Sequence, residues 1–204
     1  ALTAVQAQSV RATGKRYDRE EAYALSGDTD LAQIDFDSTV SARYADSALH
    51  SDWNALDVGL IPGAKVTWTE ISAGQLGYVT GQDNIFGMPG KHPMVSSQVT
   101  ARWKQLLFDS PGHLVRYAVE HPESVQKLAN ETWNGKEYRV LSLASVPGSA
   151  QPVRLFVDPV THLPGKADTL EDDPVHGDSY FEVGYEDWRS VDAITTPLST
   201  ATPP

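Results

Sequence analysis

Histidine and carboxylate side chains, the residue types that bind metals or transfer protons, are concentrated near the C-terminal end of the chain. The candidates that could converge on one cation are His162, Glu171, Asp173, His176 and Asp178. Their spacing matches neither the zinc motif H-E-x-x-H nor a calcium-binding EF-hand loop. Turn chemistry explains the same stretch, because Asp158–Pro159 and Pro164–Gly165 bracket a hairpin tip that leaves His162 in solvent. The sequence therefore favours a hairpin over a metal site.

Other catalytic motifs do not occur in the sequence. The chain has no cysteine, which excludes disulfides and thiolate chemistry. It has no G-x-S-x-G nucleophile motif and no glycine-rich phosphate loop. A pair of acid/base carboxylates cannot be selected from 27 acidic residues without geometry. We therefore expect no catalytic residue, no metal and no cofactor, and a protein that is not an enzyme.

Composition and charge restrict the possible partners. With 40% hydrophobic and 21% charged residues among 204, the chain has an ordinary globular composition. A net charge of −11 argues against nucleic acid and anionic membrane surfaces, since both require a basic footprint. No stretch approaches the ~18 apolar residues of a transmembrane helix. We expect one domain at 1–198 and a linker or disordered tail at 199–204.

Alternation of apolar and polar residues, typical of β-strands, dominates the chain. It is clearest where Ile34, Phe36, Val40, Ala42 and Tyr44 share one face. Further strands are predicted at 10–17, 65–71, 75–81, 151–158, 165–170 and 179–188, with a loop at 80–93. Asn134–Gly135 predicts a hairpin, because both residues tolerate the positive φ of a type I′ turn.

One segment changes to helical spacing. Its apolar positions are i, i+4, i+8, i+11 and i+12, occupied by Val95, Val99, Trp103, Leu106 and Leu107. Pro111 and Gly112 end this helix, and a second short helix follows with Leu114, Tyr117 and Ala118 on one side. The order of strands, helices and strands predicts an α+β fold with an antiparallel sheet and helices on one face.

The stretches "PVRLFVDPVTHLP" and "EDDPVHGDSYFEVGYEDWRSVDAITTP", within residues 152–197, carry a family resemblance. They resemble the N-terminal domain found ahead of some secreted bacterial metallo-β-lactamase-fold hydrolases. That domain is similar to the LolA-like fold of outer-membrane lipoprotein carriers, a curved antiparallel sheet forming an incomplete barrel with helices on its concave face. The resemblance implies export to the periplasm or beyond, and the missing N-terminal methionine fits a processed chain. The hydrolases' H-x-H-x-D-H zinc motif does not occur here, so their chemistry is not carried over.

Three functions follow as hypotheses. The first is an exported, non-catalytic domain that binds an apolar or amphipathic, lipid-like molecule between sheet and helices. Its predicted ligand-binding residues are Phe36, Val40, Trp68, Trp103, Leu107 and Phe156. The alternative is an accessory N-terminal module of a zinc metallo-hydrolase, with a C-terminal hydrolase domain as its partner and no ligand of its own. The third is a small enzyme or metal protein that uses the acidic loop at 172–178.

Overall fold

The computed structural model describes residues 5–17, 33–57, 63–83, 90–173, 177–191 and 194–201. The chain divides into two compact units, whose continuous parts are Ala4–Thr100 and Ala101–Pro203. We call them the N-terminal and the C-terminal unit. Both contain antiparallel sheets, none closed into a barrel, and the described chain has two α-helices. The predicted α+β class is therefore confirmed.

A six-stranded antiparallel sheet forms the N-terminal unit, and each strand pairs with the next one in the chain. Its strands are β1 (Ala7–Tyr17), β2 (Gln33–Arg43), β3 (Ala48–Asp57), β4 (Ala64–Ala73), β5 (Leu76–Gly81) and β6 (Gly90–Met94). The strands predicted at 10–17, 34–44, 65–71 and 75–81 correspond to β1, β2, β4 and β5.

Strands β3 and β6 were not predicted. The face of β3 that becomes buried carries Leu49, Ser51 and Ala55, and small or weakly polar residues hide the alternation on which strand prediction depends. Strand β6 occupies part of the predicted loop at 80–93, where the prediction is wrong; residues 84–89 lie outside the described part. Its Pro93 pairs with Tyr78 of β5. Proline has no backbone N–H to donate, and it is tolerated here because β6 is at the edge of the described sheet.

The C-terminal unit contains the second sheet. Its order is β13-β12-β11-β10-β9-β7, with β8 also paired to β9, and all pairings are antiparallel. The strands are β7 (Val125–Lys127), β8 (Glu131–Trp133), β9 (Lys136–Leu143), β10 (Val153–Val157), β11 (Pro164–Asp173), β12 (Gly177–Val191) and β13 (Ile194–Ala201). The strands predicted at 151–158, 165–170 and 179–188 correspond to β10, β11 and β12.

Both helices lie at the predicted positions. Helix α1 (Ser96–Asp109) ends before Pro111, and α2 (Pro111–Glu120) begins with that proline, whose fixed φ suits the first helical position. Val95, the first residue of the predicted apolar stripe, precedes α1 and is exposed. Phe108 is instead fully buried near the helix end.

The core of the C-terminal unit lies between the helices and one face of its sheet. The fully buried side chains of Phe108 and Leu114 pack there against residues of four strands and of the β9–β10 connection: Leu143, Val146, Val153, Leu155, Ala167, Val183 and Tyr185. The Tyr185 hydroxyl also donates a 2.8 Å hydrogen bond to the Phe108 carbonyl. Helices thus pack on one face of this sheet; that this face is concave stays a prediction.

Two turns follow the predicted chemistry. Asn134 and Gly135 have φ of 49° and 74° between β8 and β9, which confirms the type I′ hairpin. Between β10 and β11, the Asp158 carboxylate accepts hydrogen bonds from the Val160 N–H at 2.8 Å and the Thr161 hydroxyl at 2.9 Å. His162 is exposed at the tip with φ of 60°. The hairpin interpretation of this stretch is confirmed.

Strand β13 extends to Ala201 and pairs with β12. Residues 199–201 therefore belong to a sheet, where a linker or disordered tail was predicted, and 202–204 lie outside the described residues. The sequence lacks clear alternation here, and pairing with the long strand β12 supplies the order that local pattern does not. The structure divides the strands between two sheets. The single half-barrel domain over 1–198 stays a prediction.

Candidate functional site

Three aromatic rings, Phe36, Trp53 and Trp68, form a row on one face of the N-terminal sheet. The register places Trp53 of β3 directly opposite Trp68 of β4. Their rings stack with centroids 5.5 Å apart and planes 6° from parallel, and the Phe36 ring lies 6.0 Å from that of Trp53. Each of the three residues is only partly buried. This aromatic row therefore keeps some contact with solvent.

A glycine lies opposite the aromatic residue at each end of the row. Gly14 on β1 pairs with Phe36, and a Cβ at Gly14 would lie 3.0 Å from two Phe36 ring carbons. Gly81 on β5 pairs with Trp68 and has a φ of +102°. A side chain at Gly81 would strain the backbone and lie 2.5 Å from the Thr67 carbonyl oxygen, so this position requires glycine, whereas a side chain at Gly14 would push on the Phe36 ring.

Small residues surround the row on the same face. The register assigns to this face the buried residues Ser38, Ala42, Ser51, Ala55 and Ser72. Side chains of this size stand little above the backbone, so the large rings project beyond their neighbours. On this face the aromatic rings therefore extend further from the sheet than the small, mostly uncharged side chains beside them.

Glu70 is the one charged residue among the described side chains of this face in β2–β5. It follows Trp68 on the same side of β4, opposite Ser51 of β3 and Val79 of β5. Glu70 is only 6% exposed. The Trp68 indole donates a hydrogen bond from Nε1 to Glu70 Oε1 at 3.1 Å, which holds the carboxylate at the edge of the ring.

Three of the six predicted ligand-binding residues share this face. Phe36 and Val40 lie on it from β2, where the register pairs Val40 with Ser51, and Trp68 lies on it from β4. Val40 is partly buried, like the rings. Trp53 and Glu70 were missed by the sequence analysis. A strand prediction for β3 would have identified Trp53, because the pairing of β3 with β4 places Trp53 opposite Trp68.

The other three predicted residues lie in the C-terminal unit and are not brought together. Leu107 packs against the helix-covered core. Phe156, which is 1% exposed, belongs to a separate cluster with Tyr138 and Val140 on the opposite face of the sheet. Trp103 on α1 is partly buried, and its indole N–H has no hydrogen-bond acceptor among the described residues. Leu107 and Phe156 thus lie on opposite sides of one sheet.

A charged network occupies the face that carries Phe156. It consists of Glu131, Arg154, Lys166, Asp168 and Glu182. Lys166 Nζ lies 2.8 Å from Asp168 and 2.6 Å from Glu182, and Arg154 binds both Asp168 and Glu131. The hydrogen bond to Asp168 is the main cause that raises the pKa of Arg154. Since these charges are paired with one another, removing one member would leave its partners with an uncompensated charge on this face of the sheet.

One further buried group has an altered pKa. His113 on α2 is 6% exposed, and burial, followed by the charge of Arg116, lowers its pKa to about 4. Such shifts occur both at functional sites and in ordinary cores. His113 contributes to the interior of the C-terminal unit.

The described part of the chain contains neither a metal-binding cluster nor a helix able to span a membrane. No three histidine or acidic side chains there are arranged to hold a metal ion; His176 and the side chain of Asp173 lie outside the description. Neither described helix has the length and apolar content that crossing a bilayer requires. A depression of about 610 Å³ lies at the ends of β1–β4, and its walls are mostly apolar, with Ala48, Leu49 and Ile71 among the lining residues.

Comparison with known proteins adds no relative. No protein-family model, no curated protein and no solved structure matches this chain. The resemblance to LolA-like domains therefore stays a prediction, and functional argument rests on the geometry of the aromatic row.

Proposed function

We propose that this protein is a non-catalytic binding protein that holds an apolar or amphipathic molecule against the aromatic row. The observation that carries the proposal is the stacked pair Trp53–Trp68, which remains partly exposed on a sheet face whose other side chains are mostly buried and uncharged. Exposed indole rings make favourable contacts with apolar groups. Stacking already fixes the orientation of the Trp53 and Trp68 rings before a ligand binds. Little conformational entropy is then lost when a ligand binds.

Each residue of the site has a distinct part in this proposal. Trp53 and Trp68 contact the apolar portion of the ligand, and Phe36 and Val40 extend that surface along β2. The small residues around the row leave space for the ligand chain beside the rings. The lipoprotein carriers that the chain resembles hold acyl chains in the apolar interior of their half barrel, which supports the same ligand class. Location in the periplasm or outside the cell is part of the proposal and rests on that resemblance.

The test is a titration of the full chain with a neutral amphiphile, dodecyl maltoside below its micelle concentration. Tryptophan fluorescence and calorimetry should both show saturable binding. Trp53→Ala should weaken binding at least about tenfold through lost aromatic contact, whereas Trp133→Ala, in the other sheet, should leave it unchanged. Circular dichroism establishes that both variants are folded.

Two outcomes would overturn the proposal. The first is the lack of saturable binding of dodecyl maltoside, which would leave the accessory module of a zinc hydrolase and the small enzyme or metal protein as the remaining hypotheses. The second is equal loss of binding in the Trp53 and Trp133 variants, which would show that the ligand is not held at the aromatic row.

A further inference from the structure

The charged side chains of the N-terminal sheet lie mostly on one of its faces. The register places the described lysine and arginine side chains of its strands on the face opposite the aromatic row: Arg11, Lys15, Arg43, Lys65 and Lys91. Several of them meet acidic partners there, as Arg11 does with Asp37 at 2.7 Å. The row face receives a carboxylate, Glu70, from the same strands. The opposite face also carries Asp35, Asp37 and Asp52, so its charges are mixed, whereas Glu70 is the one charged side chain described on the row face in β2–β5.

We infer that the amphipathic ligand of the aromatic row carries a cationic head group, of the alkylammonium class. This inference rests on the proposed function and specifies its ligand. Glu70 is held at the edge of the Trp68 ring by the 3.1 Å hydrogen bond from Nε1, so a molecule lying on the ring has its end close to a carboxylate. Aromatic faces beside a carboxylate are the combination that attracts an ammonium group.

Burial increases the effect of this carboxylate. Glu70 is 6% exposed, and a charge removed from water acts over a longer range than one at the surface. An anionic amphiphile such as a fatty acid would place a second negative charge beside it, whereas an ammonium group would be attracted. The indole rings add to the attraction, because their π-electron faces are negative. The aromatic row should thus distinguish ligands by head-group charge at equal chain length.

The experiment compares three amphiphiles with the same dodecyl chain, each below its micelle concentration: dodecyltrimethylammonium, dodecyl maltoside and dodecanoate. Calorimetry and tryptophan fluorescence on the full chain give the three affinities. We expect the ammonium compound to bind at least about tenfold more tightly than the carboxylate, with the neutral compound between them. Equal affinities for the three would overturn the inference and leave the proposed function standing.

A substitution at Glu70 tests the assignment to this carboxylate. Glu70→Gln keeps an oxygen that accepts the Trp68 hydrogen bond but removes the charge. It should weaken ammonium binding about tenfold, strengthen dodecanoate binding, and leave dodecyl maltoside binding unchanged. Glu186→Gln removes the same charge from an exposed position on β12 and should alter none of the three affinities.

The outcomes separate the two proposals. An unchanged preference for ammonium in Glu70→Gln would overturn the role of Glu70. Failure of all three amphiphiles to bind the unaltered protein would overturn the proposed function itself. If Glu70→Gln does not fold, the comparison of head groups on the unaltered protein still decides whether a cationic ligand is preferred.

Discussion

The guanidinium of Arg154 donates two hydrogen bonds, of 2.7 and 2.8 Å, to the carboxylate of Asp168 on the neighbouring strand. Asp168 is 0% exposed, and Lys166 Nζ lies 2.8 Å from its Oδ2, the oxygen that also accepts the hydrogen bond from Arg154 Nη2. The positive charges of Arg154 and Lys166 are thus both compensated by the one buried carboxylate of Asp168. Removing that carboxylate leaves both cations in the interior with fewer partners, which is far more costly than the net contribution of an ion pair.

Asp168→Asn should therefore lower the free energy of unfolding by about 3–5 kcal/mol. The matched control is Asp37→Asn, which removes the partner of Arg11 in a similar two-hydrogen-bond pair. The Asp37 side chain is 36% exposed rather than 1%, so water compensates and the loss should stay below ~1 kcal/mol. Denaturant unfolding measures both. Equal losses would contradict the assigned role of burial.

Gly135→Val should destabilise the protein by about 1–2 kcal/mol. Gly135 has φ of +74°, and a Cβ at this position meets no atom within 4 Å. The expected cost therefore arises from the backbone conformation and not from a clash. Gly135→Asn is the control, because asparagine tolerates positive φ and should cost less. Equal denaturation midpoints for the two variants would show that the turn does not require a left-handed residue.

His113 should make stability depend on pH in the mildly acidic range. Burial lowers its pKa to about 4, whereas histidine in an unfolded chain has a pKa of about 6.5. Below about pH 6.5 the unfolded chain binds a proton that the folded protein does not, so stability falls as the pH decreases towards 4. The loss is about 3 kcal/mol at most. His113→Gln should reduce the slope of stability against pH; an unchanged slope would contradict the prediction.

Treatment with the chelator EDTA should leave the melting temperature of the protein unchanged. Asp158, which opens the β10–β11 hairpin, already accepts hydrogen bonds from Lys136 at 2.6 Å and from the next turn of chain. The Lys136 hydrogen bond is the first cause that keeps the pKa of Asp158 below its usual range. Metal analysis of protein purified without chelator, followed by melting with EDTA, tests this. Stoichiometric zinc together with a lower melting temperature would show that a cation supports residues 162–178.

Local sequence patterns determined much of the fold. The change from alternation to helical spacing marked α1, and Asn134–Gly135 marked a type I′ turn with both φ values positive. The Asp158–Pro159 and Pro164–Gly165 pairs marked the next hairpin tip. These predictions succeed because periodicity and turn chemistry act over a few neighbouring residues.

Only the tertiary structure decided which side chains meet. Trp53 stacks on Trp68 because β3 and β4 pair in one register, and a shift by one residue would place Trp53 on the polar face. Phe156 and Leu107 fall on opposite sides of a sheet for the same kind of reason. Arg154 and Glu182, which alternation marks only as polar, become members of one charged network around Asp168 and Lys166. Strand register joins residues far apart in the chain, and the pattern within a single strand carries no record of its partner.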